Sequence, residues 1–303
     1  MNTNIYAAVT DRILKQLVAG QVPWRKTWAC GLPKSLASGK EYRGVNILVL
    51  GTTDFRSRYW ATFREAQRLG GHIRKGERAT PVIYWKWRTP EEIAKRVAQT
   101  GNEEIAPCVP FVSTVFNLDQ TEGVARPEDD IQHRPEDRLR LADQMFDVMP
   151  DKPEIVHTVT AQPIYNPHLD RVTLPHLSQF ESADDYYATL FHELIHSSGH
   201  PRRLNRFAET EGDRVEKYSF EELVAEFGAA FLCGFAGIEN PDTHAQQASY
   251  IEGWARVFRQ DSRVLVRAAS AAQRAADYVR GKTAPEQTSV TADEAQPVEA
   301  SHA

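Results

Sequence analysis

Two histidines four residues apart are the strongest chemical signal in the sequence. His192 and His196 enclose Glu193 in the segment His-Glu-Leu-Ile-His. Residues four apart lie on one face of an α-helix, so both imidazoles can reach one metal ion while Glu193 faces the same cleft. The surrounding apolar residues have helical spacing, and Gly199 follows as a stop signal. The pattern predicts a catalytic Zn²⁺ site on a helix.

A catalytic zinc ion with three protein ligands needs one ligand besides the two histidines. One class of sites uses a histidine six residues after the second one, but this chain has Arg202 there. His200 follows the helix stop and could reach the ion only if the turn were distorted. Neither position therefore supplies a convincing third ligand.

A better candidate lies in the next helical segment, which resembles the zincin metallopeptidases. Many zincins supply the third ligand as Glu-x-x-Ala followed by an acidic or amide residue, and Glu222-Leu-Val-Ala-Glu226 fits that pattern. The resemblance implies that Glu222 binds the ion and that Glu226 accepts the N–H of a ligating histidine. The two roles could be exchanged. We expect the neighbouring Glu221 to be solvated.

These parts predict a zinc-dependent peptidase. Zinc lowers the pKa of its bound water and polarises a substrate carbonyl. Glu193 can take the proton of that water and later deliver it to the leaving amine. Three residues are candidates for the donor that stabilises the oxyanion: Tyr218, Tyr250 and His244.

The charge of the chain is divided unevenly between its two ends. The net charge is −5, yet residues 1–90 hold 16 lysines and arginines against five acidic residues, a net charge of +11. The remaining residues carry a net charge of −16. Such an asymmetry suggests a nucleic-acid-binding region joined to a different one, although a solvated basic face would give the same count.

Aromatic residues are interleaved with these basic residues. Single-stranded nucleic acid is held by this combination, with cations along the phosphates and aromatic faces stacked on bases. The alternative is that most of the aromatic rings belong to the core. Alternation along a strand places Trp85 and Trp87 on one side and Lys86 on the other. The candidate nucleic-acid contacts are Trp24, Arg25, Lys26, Trp28, Arg43, Arg56, Arg58, Arg74, Lys75 and Lys86.

The elements that position these groups predict an α+β fold in two parts. Residues 1–122 are expected to form a small α+β domain, with a first helix ending at Gly20 and strands at 82–87 and 111–116. Residues 123–138, charged and without apolar periodicity, are expected to be a linker. Residues 139–280 are expected to form a mainly helical domain with a short sheet and helices near 139–149, 183–198, 220–235 and 245–278. The composition of residues 281–303 predicts a disordered tail.

The composition excludes several classes of protein. Apolar residues make up 41% and charged residues 25% of the chain, as in ordinary globular proteins. No apolar stretch is long enough for a membrane helix, and the N-terminus has no signal-peptide core. Cys30, Cys108 and Cys233 have unrelated spacings, which argues against a disulfide framework and favours a reducing cytoplasm.

Both halves of the chain resemble the ArdC-type antirestriction proteins of conjugative plasmids, whose N-terminal part is shared with long TraC-type plasmid primases. The resemblance spans about residues 5–240 in order, although the insertion 89–102 and the tail after Gly281 match nothing in it. The matching segments include Gly20-Gln-Val-Pro-Trp24, Tyr42-Arg-Gly-Val-Asn46, Leu69-Gly-Gly-His-Ile-Arg-Lys-Gly-Glu77, Val115-Phe-Asn-Leu-Asp-Gln-Thr-Glu-Gly123, Tyr187-Ala-Thr-Leu-Phe-His-Glu-Leu-Ile-His196 and Glu221-Glu-Leu-Val-Ala-Glu226.

This resemblance implies an N-terminal domain that binds single-stranded DNA and a C-terminal zincin-like metallopeptidase domain. It implies a role in protecting incoming plasmid DNA from host restriction, with a host restriction component or another protein as substrate and no membrane partner. The chain is too short to hold a primase domain as well, so a stand-alone ArdC-like protein is expected. The alternative is a non-enzymatic protein that coats single-stranded DNA and keeps a structural or vestigial zinc site.

Overall fold

The computed structural model describes residues 5–25, 31–102, 105–129, 134–159, 162–209, 214–238 and 248–282. The described chain is α+β, as the sequence predicts, with ten α-helices and nine short strands among these residues. Lys26, Trp28 and all but the first two residues of the expected tail at 281–303 lie outside the described residues. No helix in the described ranges has the length and apolar character that crossing a lipid bilayer requires.

The first half begins with the predicted helix, which buries Val9, Ile13 and Leu17 along one stripe. A short 3₁₀ turn at Pro23–Arg25 follows it. The apolar segment Val45–Gly51 forms a helix in which every residue is buried. The elements of this half are α1 Ile5–Val18, β1 Lys34–Ser35, α2 Val45–Gly51, β2 Tyr59–Ala61, α3 Phe63–Arg68, β3 His72–Ile73, β4 Thr80–Trp87, α4 Pro90–Thr100, β5 Cys108–Asn117 and β6 Thr121–Glu122.

Four of these strands form a mixed sheet in the order β1-β2-β5-β4, and β3 pairs separately with β6. The long antiparallel ladder runs from the pair Thr80 and Val115 to the pair Trp87 and Cys108. The polar insertion at 89–102 connects these two strands through α4. Thr89 and Glu92 form a capping box at its start, and Gly101 ends it in the left-handed conformation.

The second half places a small sheet beside a group of helices. The sheet has the order β7-β9-β8, with β7 parallel and β8 antiparallel to β9. Strand β7 was not predicted from the sequence. The elements are α5 Pro135–Val148, β7 Glu154–His157, β8 Ile164–Asn166, β9 Arg171–Leu174, α6 Ala183–Ser198, α7 Arg206–Glu209, α8 Arg214–Ala236, α9 Ala248–Gln260 and α10 Arg263–Val279.

The helix expected over 245–278 is divided into α9 and α10. The break falls at Asp261 and Ser262, where the Asp261 carboxylate accepts the backbone N–H of Arg263 at 2.9 Å. A short polar side chain that bonds to nearby backbone competes with helix continuation, which explains the interruption. The prediction of a single long helix was therefore wrong at this point.

The two halves of the chain share one continuous hydrophobic core. Residues of α1 and α2 belong to the same buried cluster as residues of α6, α8 and α10. Polar contacts cross the same boundary: the backbone N–H of Gly44 donates to Gln273, and the Thr10 hydroxyl donates to the Ser262 carbonyl, both at 2.9 Å. The domain boundaries at 122 and 139 remain a prediction, but the shared core ties the predicted domains together.

The predicted linker at 123–138 is also partly tied to the folded chain. Asp129 accepts a hydrogen bond from the Tyr59 hydroxyl and pairs with Lys34 at 3.2 Å. The C-terminal residues of the predicted linker begin α5, which starts at Pro135 rather than near 139. The described part of the predicted linker therefore includes a contact with the first half of the chain and the start of α5.

Candidate metal centre and nucleic-acid surface

Helix α6 carries the two histidines on its accessible side. The Ser182 hydroxyl caps its first turn by accepting the N–H of Asp185, and the opposite face is buried. The helix ends before Gly199, whose φ is −75°. A Cβ at Gly199 would lie 2.5 Å from the Phe207 ring. Glycine is therefore required there by the close approach of Phe207 rather than by a left-handed backbone.

The structure brings the three predicted ligands together. The Nε2 atoms of His192 and His196 are 3.1 Å apart. The two carboxylate oxygens of Glu222 lie 3.7 Å from His192 Nε2 and 3.5 Å from His196 Nε2. Within the described ranges, these three side chains form the group of ligand-type atoms that converges closely enough for a metal, all within 4.8 Å of one another.

Small residues on α8 allow this convergence. A Cβ placed on Gly228 would lie 2.7 Å from two side-chain carbons of Ile195, which is fully buried on α6. Ala225 is also fully buried on the same helix. The two helices can therefore approach closely enough for Glu222 on α8 to reach the histidines on α6.

A glutamate faces the second nitrogen of each imidazole. Glu226 Oε1 lies 3.9 Å from His192 Nδ1, which places Glu226 in the outer position predicted for it. Glu221 Oε1 lies 3.4 Å from His196 Nδ1. Such outer carboxylates orient a ligating imidazole and fix which nitrogen carries the proton. Each histidine thus has its own outer partner.

The expectation that Glu221 is solvated was wrong. Its side chain is 13% exposed and accepts two hydrogen bonds from the Arg206 guanidinium, one of them from Nε at 2.9 Å. The hydrogen bond to Arg206 offsets the effect of burial and lowers the pKa of the Glu221 carboxyl below its usual value. No sequence pattern signals this contact, because it depends on the path of the chain between α6 and α8.

Glu193 is suited to accept a proton. It is 6% exposed, and burial raises the pKa of its carboxyl above the usual value. The charges of His196 and Glu222 also act on it, in opposite directions. A buried carboxylate with a raised pKa is a stronger base than an exposed one. The position next to both ligands and the raised pKa fit a general base.

The charges around this centre fit a divalent cation. Burial, together with the nearby His196, lowers the pKa of His192 well below its usual value, so its imidazole is neutral and able to bind a metal. Burial by itself would lower the pKa of His196, but its hydrogen bond to Glu221 and the charges of Glu222 raise it. Two imidazole nitrogens with a carboxylate are a donor set typical of zinc and similar metals.

The other residues considered for this centre lie apart from it or outside the described residues. His200 is not part of the converging group, and its Nδ1 accepts the backbone N–H of Arg202 at 3.3 Å. Among the candidate oxyanion donors, His244 and the side chains of Tyr218 and Tyr250 lie outside the described part of the chain. Their role stays a prediction.

Three of the candidate nucleic-acid contacts are buried rather than exposed. Trp24 is fully buried, with its ring 4.8 Å from Phe227 and 5.1 Å from Trp254. Arg25 pairs with Glu226 beside the metal centre. The side chain of Arg58 is 10% exposed and donates to the Leu32 carbonyl at 3.2 Å. In this arrangement none of the three can contact a nucleic-acid strand, and for Trp24 the core interpretation is correct.

Five of the other candidate contacts lie at the surface of the described chain. Arg43 is half exposed and pairs with the buried Asp277, and Arg74 is half exposed and pairs with Glu77 at 2.8 Å. The exposed candidates are Arg56, Lys75 and Lys86. Trp87 is 37% exposed beside Lys86 at the end of β4, so one tryptophan of this strand reaches the surface.

A surface cleft of about 600 Å³ lies next to some of these cations in the first half of the chain. It is lined by Arg12, Phe55 and Arg78, together with two acidic residues, Asp54 and Glu77. Arg56 and Lys75 directly adjoin its lining residues in the sequence. We refer to this region as the cationic cleft. Arg12 and Arg78 were not among the predicted contacts, because sequence spacing does not indicate which cations border one cleft.

Comparisons with known proteins agree with this arrangement. A family model for the N-terminal domain of the anti-restriction factor ArdC matches residues 3–116, and a family model for zincin-like metallopeptidases matches residues 142–271. Two DNA primases TraC of Escherichia coli are 33% and 32% identical over 89% and 90% of this chain. This chain covers 26% and 20% of their lengths, so it spans about a quarter or less of these relatives.

Two relatives match along nearly their whole length. The uncharacterized protein y4eC of Sinorhizobium fredii (strain NBRC 101917 / NGR234) is 33% identical, with 92% of each chain covered. The crystal structure of the metal-free antirestriction protein ArdC from plasmid R388 is 36% identical, with a TM-score of 0.72, over 91% of this chain and 97% of that one. The Mn(II)-bound structure of the same protein has a TM-score of 0.71. The chain therefore belongs to the ArdC family of antirestriction proteins.

Proposed function

We propose that this protein protects incoming plasmid DNA from host restriction by binding single-stranded DNA and by hydrolysing a peptide bond at a Zn²⁺ centre. The observation that carries the enzymatic part is the convergence of His192, His196 and Glu222 beside the buried Glu193. ArdC of plasmid R388, which has the same fold, has been solved with Mn(II), which supports metal binding by this chain.

The chain's own residues provide the remaining chemistry of the proposed reaction. A bound divalent metal supplies a Lewis acid and a water of lowered pKa. Glu193 accepts a proton from the attacking water and returns it to the leaving amine. Glu221 lies 3.4 Å from His196 Nδ1 and Glu226 lies 3.9 Å from His192 Nδ1, so each carboxylate can orient the imidazole ring that it faces. The reaction class is metal-assisted hydrolysis of an amide.

Glu193 favours a catalytic centre over a structural one. It is not part of the group that converges on the metal position, yet it is buried next to that group. Burying an ionisable carboxyl group is unfavourable unless it is paired or bound, and holding a metal does not require this residue. Hydrolysis explains why a carboxylate that can accept a proton is buried at this position.

For the nucleic acid, we propose the surface around the cationic cleft as the binding site. Arg12 and Arg78 line it with Phe55, whose ring is partly exposed. Cations along the phosphates and an aromatic ring for a base are the features that single strands require. The N-terminal ArdC family match and the TraC relatives support nucleic-acid binding in this half.

The experiment that tests the enzymatic part is Glu193→Gln in the full chain. We expect the variant to keep its Zn²⁺ and its affinity for single-stranded DNA, because the residue touches neither. Peptide hydrolysis should fall by about 10²–10⁴-fold, the typical contribution of a general base. Protection should be measured as plasmid transfer into a restricting host relative to a non-restricting one.

The matched control is Glu181→Gln, which removes an exposed carboxylate just before α6. It should behave like the unmodified protein in every assay. Loss of protection in Glu193→Gln with metal retained supports a peptidase. Full protection by Glu193→Gln would instead identify a protein that acts by coating single-stranded DNA.

A further inference from the structure

The two outer glutamates of the metal centre are held by arginines from different parts of the chain. Glu221, behind His196, is held by Arg206, which lies between the two helices that carry the ligands. Glu226, behind His192, pairs with Arg25, 201 residues away in the sequence. The second arginine therefore comes from the N-terminal half, which carries none of the metal ligands.

Arg25 has the geometry to fix the Glu226 carboxylate. Its Nη2 atom lies 3.5 Å from Glu226 Oε2, while the other oxygen, Oε1, lies 3.9 Å from His192 Nδ1. The side chains of Arg25 and Glu226 are 5% and 15% exposed. An ion pair with this little exposure is weakly screened, and removing one partner leaves a buried charge without compensation.

The packing around Arg25 holds it against this part of α8. The preceding residue, Trp24, packs edge-on against Phe227, and Phe227 directly follows Glu226 on α8. Trp24 also packs edge-on against Trp254 of α9. Both Pro23 and Trp24 are buried, so the 3₁₀ turn that carries Arg25 is fixed by aromatic contacts on one side and the ion pair on the other.

We propose that Arg25 is a positioning residue of the metal centre. It holds the Glu226 carboxylate 3.9 Å from His192 Nδ1, where its charge favours the proton on that nitrogen and leaves His192 Nε2 directed towards the metal. The metal centre is then assembled from both halves of the chain, and the N-terminal half contributes to metal affinity without supplying a ligand. This inference rests on the metal site of the proposed function.

The test is a Zn²⁺ titration of the metal-free full chain against a competing chelator. Arg25→Met keeps most of the aliphatic stem and removes the charge. We expect its Zn²⁺ affinity to fall by about 10-fold or more, in the range typical of an outer partner of a ligand. Arg25→Lys, which keeps the charge, should recover part of this loss. The matched control is Arg58→Met, since Arg58 is 10% exposed in the same half but donates to the Leu32 carbonyl.

A double variant separates positioning from general stability. If Arg25 acts through Glu226, Arg25→Met should have little further effect on Zn²⁺ affinity in a Glu226→Gln background. Thermal unfolding of the metal-free proteins should be recorded alongside. If Arg25→Met does not fold, Arg25→Gln takes its place in both measurements, with the same loss expected.

Two results would overturn the inference. One is an unchanged Zn²⁺ affinity in Arg25→Met while the unmodified chain binds the ion. The other is an equal loss of Zn²⁺ affinity on Arg25→Met whether residue 226 is Glu or has been changed by Glu226→Gln. That result would mean that Arg25 does not act through Glu226. If the unmodified chain itself binds no Zn²⁺, the proposed metal site fails, and this inference fails with it.

Discussion

The metal centre and the cationic cleft are both rich in charged side chains, but these side chains are largely buried at the metal centre and exposed at the cleft. At the metal centre, four glutamates, two histidines and two arginines are brought together with little exposure to solvent. At the cleft, arginines and a lysine lie at the surface beside acidic residues such as Glu77, which pairs with Arg74 at 2.8 Å. One region concentrates charge in the interior, and the other spreads it over the surface.

This difference predicts how each region binds its partner. Buried carboxylates that outnumber the neighbouring arginines are unfavourable without a cation, so metal binding is coupled to the stability of the centre. Exposed cations are screened by salt, so nucleic-acid affinity depends on how many of them meet phosphates at once. Single substitutions should therefore have large effects at the metal centre and small ones at the cleft.

The largest effect is expected from Glu222→Ala, which removes one of the three proposed ligands. Its Zn²⁺ affinity should fall by more than the roughly 10–100-fold typical of an outer partner, which is the loss expected for Glu226→Ala. A competitive metal titration of both variants measures this. Single-stranded-DNA binding should be unchanged in each. Metal retained in Glu222→Ala but lost in Glu226→Ala would reverse the two roles.

A smaller loss is expected from Glu221→Gln. The amide can no longer attract the His196 imidazole as a carboxylate does, so Zn²⁺ affinity should fall by about 10–100-fold. The substitution also removes the ion pair between Glu221 and the buried Arg206, so the metal-free protein should unfold at a lower temperature. Glu252→Gln, an exposed position on α9, is the control. Unchanged metal affinity would show that Glu221 does not orient His196.

A pair of glycine substitutions tests the close approach of α6 and α8. Gly228→Ala should lower the free energy of unfolding by about 1–3 kcal/mol, because the new methyl group overlaps Ile195. Gly253→Ala, on α9 with no atom within 4 Å of its Cβ, should raise it by about 0.5–1 kcal/mol. Urea unfolding curves measure both. An equal free energy of unfolding for the two variants would mean that α6 and α8 can move apart without cost.

The smallest effects are expected at the cleft, for Lys75→Gln and Arg78→Gln. Each should weaken single-stranded-DNA binding by a few-fold and reduce the slope of log affinity against log salt by about 0.7 for each lost phosphate contact. Lys152→Gln, in the other half of the chain, is the control. A titration by fluorescence anisotropy at several salt concentrations measures the slopes. Slopes that match the unmodified protein would place the nucleic acid elsewhere.

Local patterns in the sequence predicted the elements that carry the site. The helix at 183–198 has the predicted bounds, because its apolar spacing, its acidic first turn and Gly199 all lie within one segment. Strand β4 begins two residues before the predicted strand and ends where predicted, whereas β5 begins three residues before and ends one residue after the predicted strand. The four-residue spacing of His192 and His196 places both rings on one side of that helix wherever the helix is packed.

The tertiary structure alone decided which charged and aromatic residues are buried. Trp24, Arg25 and Arg58 have the composition of a nucleic-acid surface, but packing against distant helices or loops removes them from solvent. The outer shell of the metal centre was decided in the same way, since the rotation of α8 against α6 brings Glu221 and Glu226 behind different histidines. Spacing along one helix fixes relative directions within that helix, whereas burial and ion pairing depend on contacts between residues far apart in the chain.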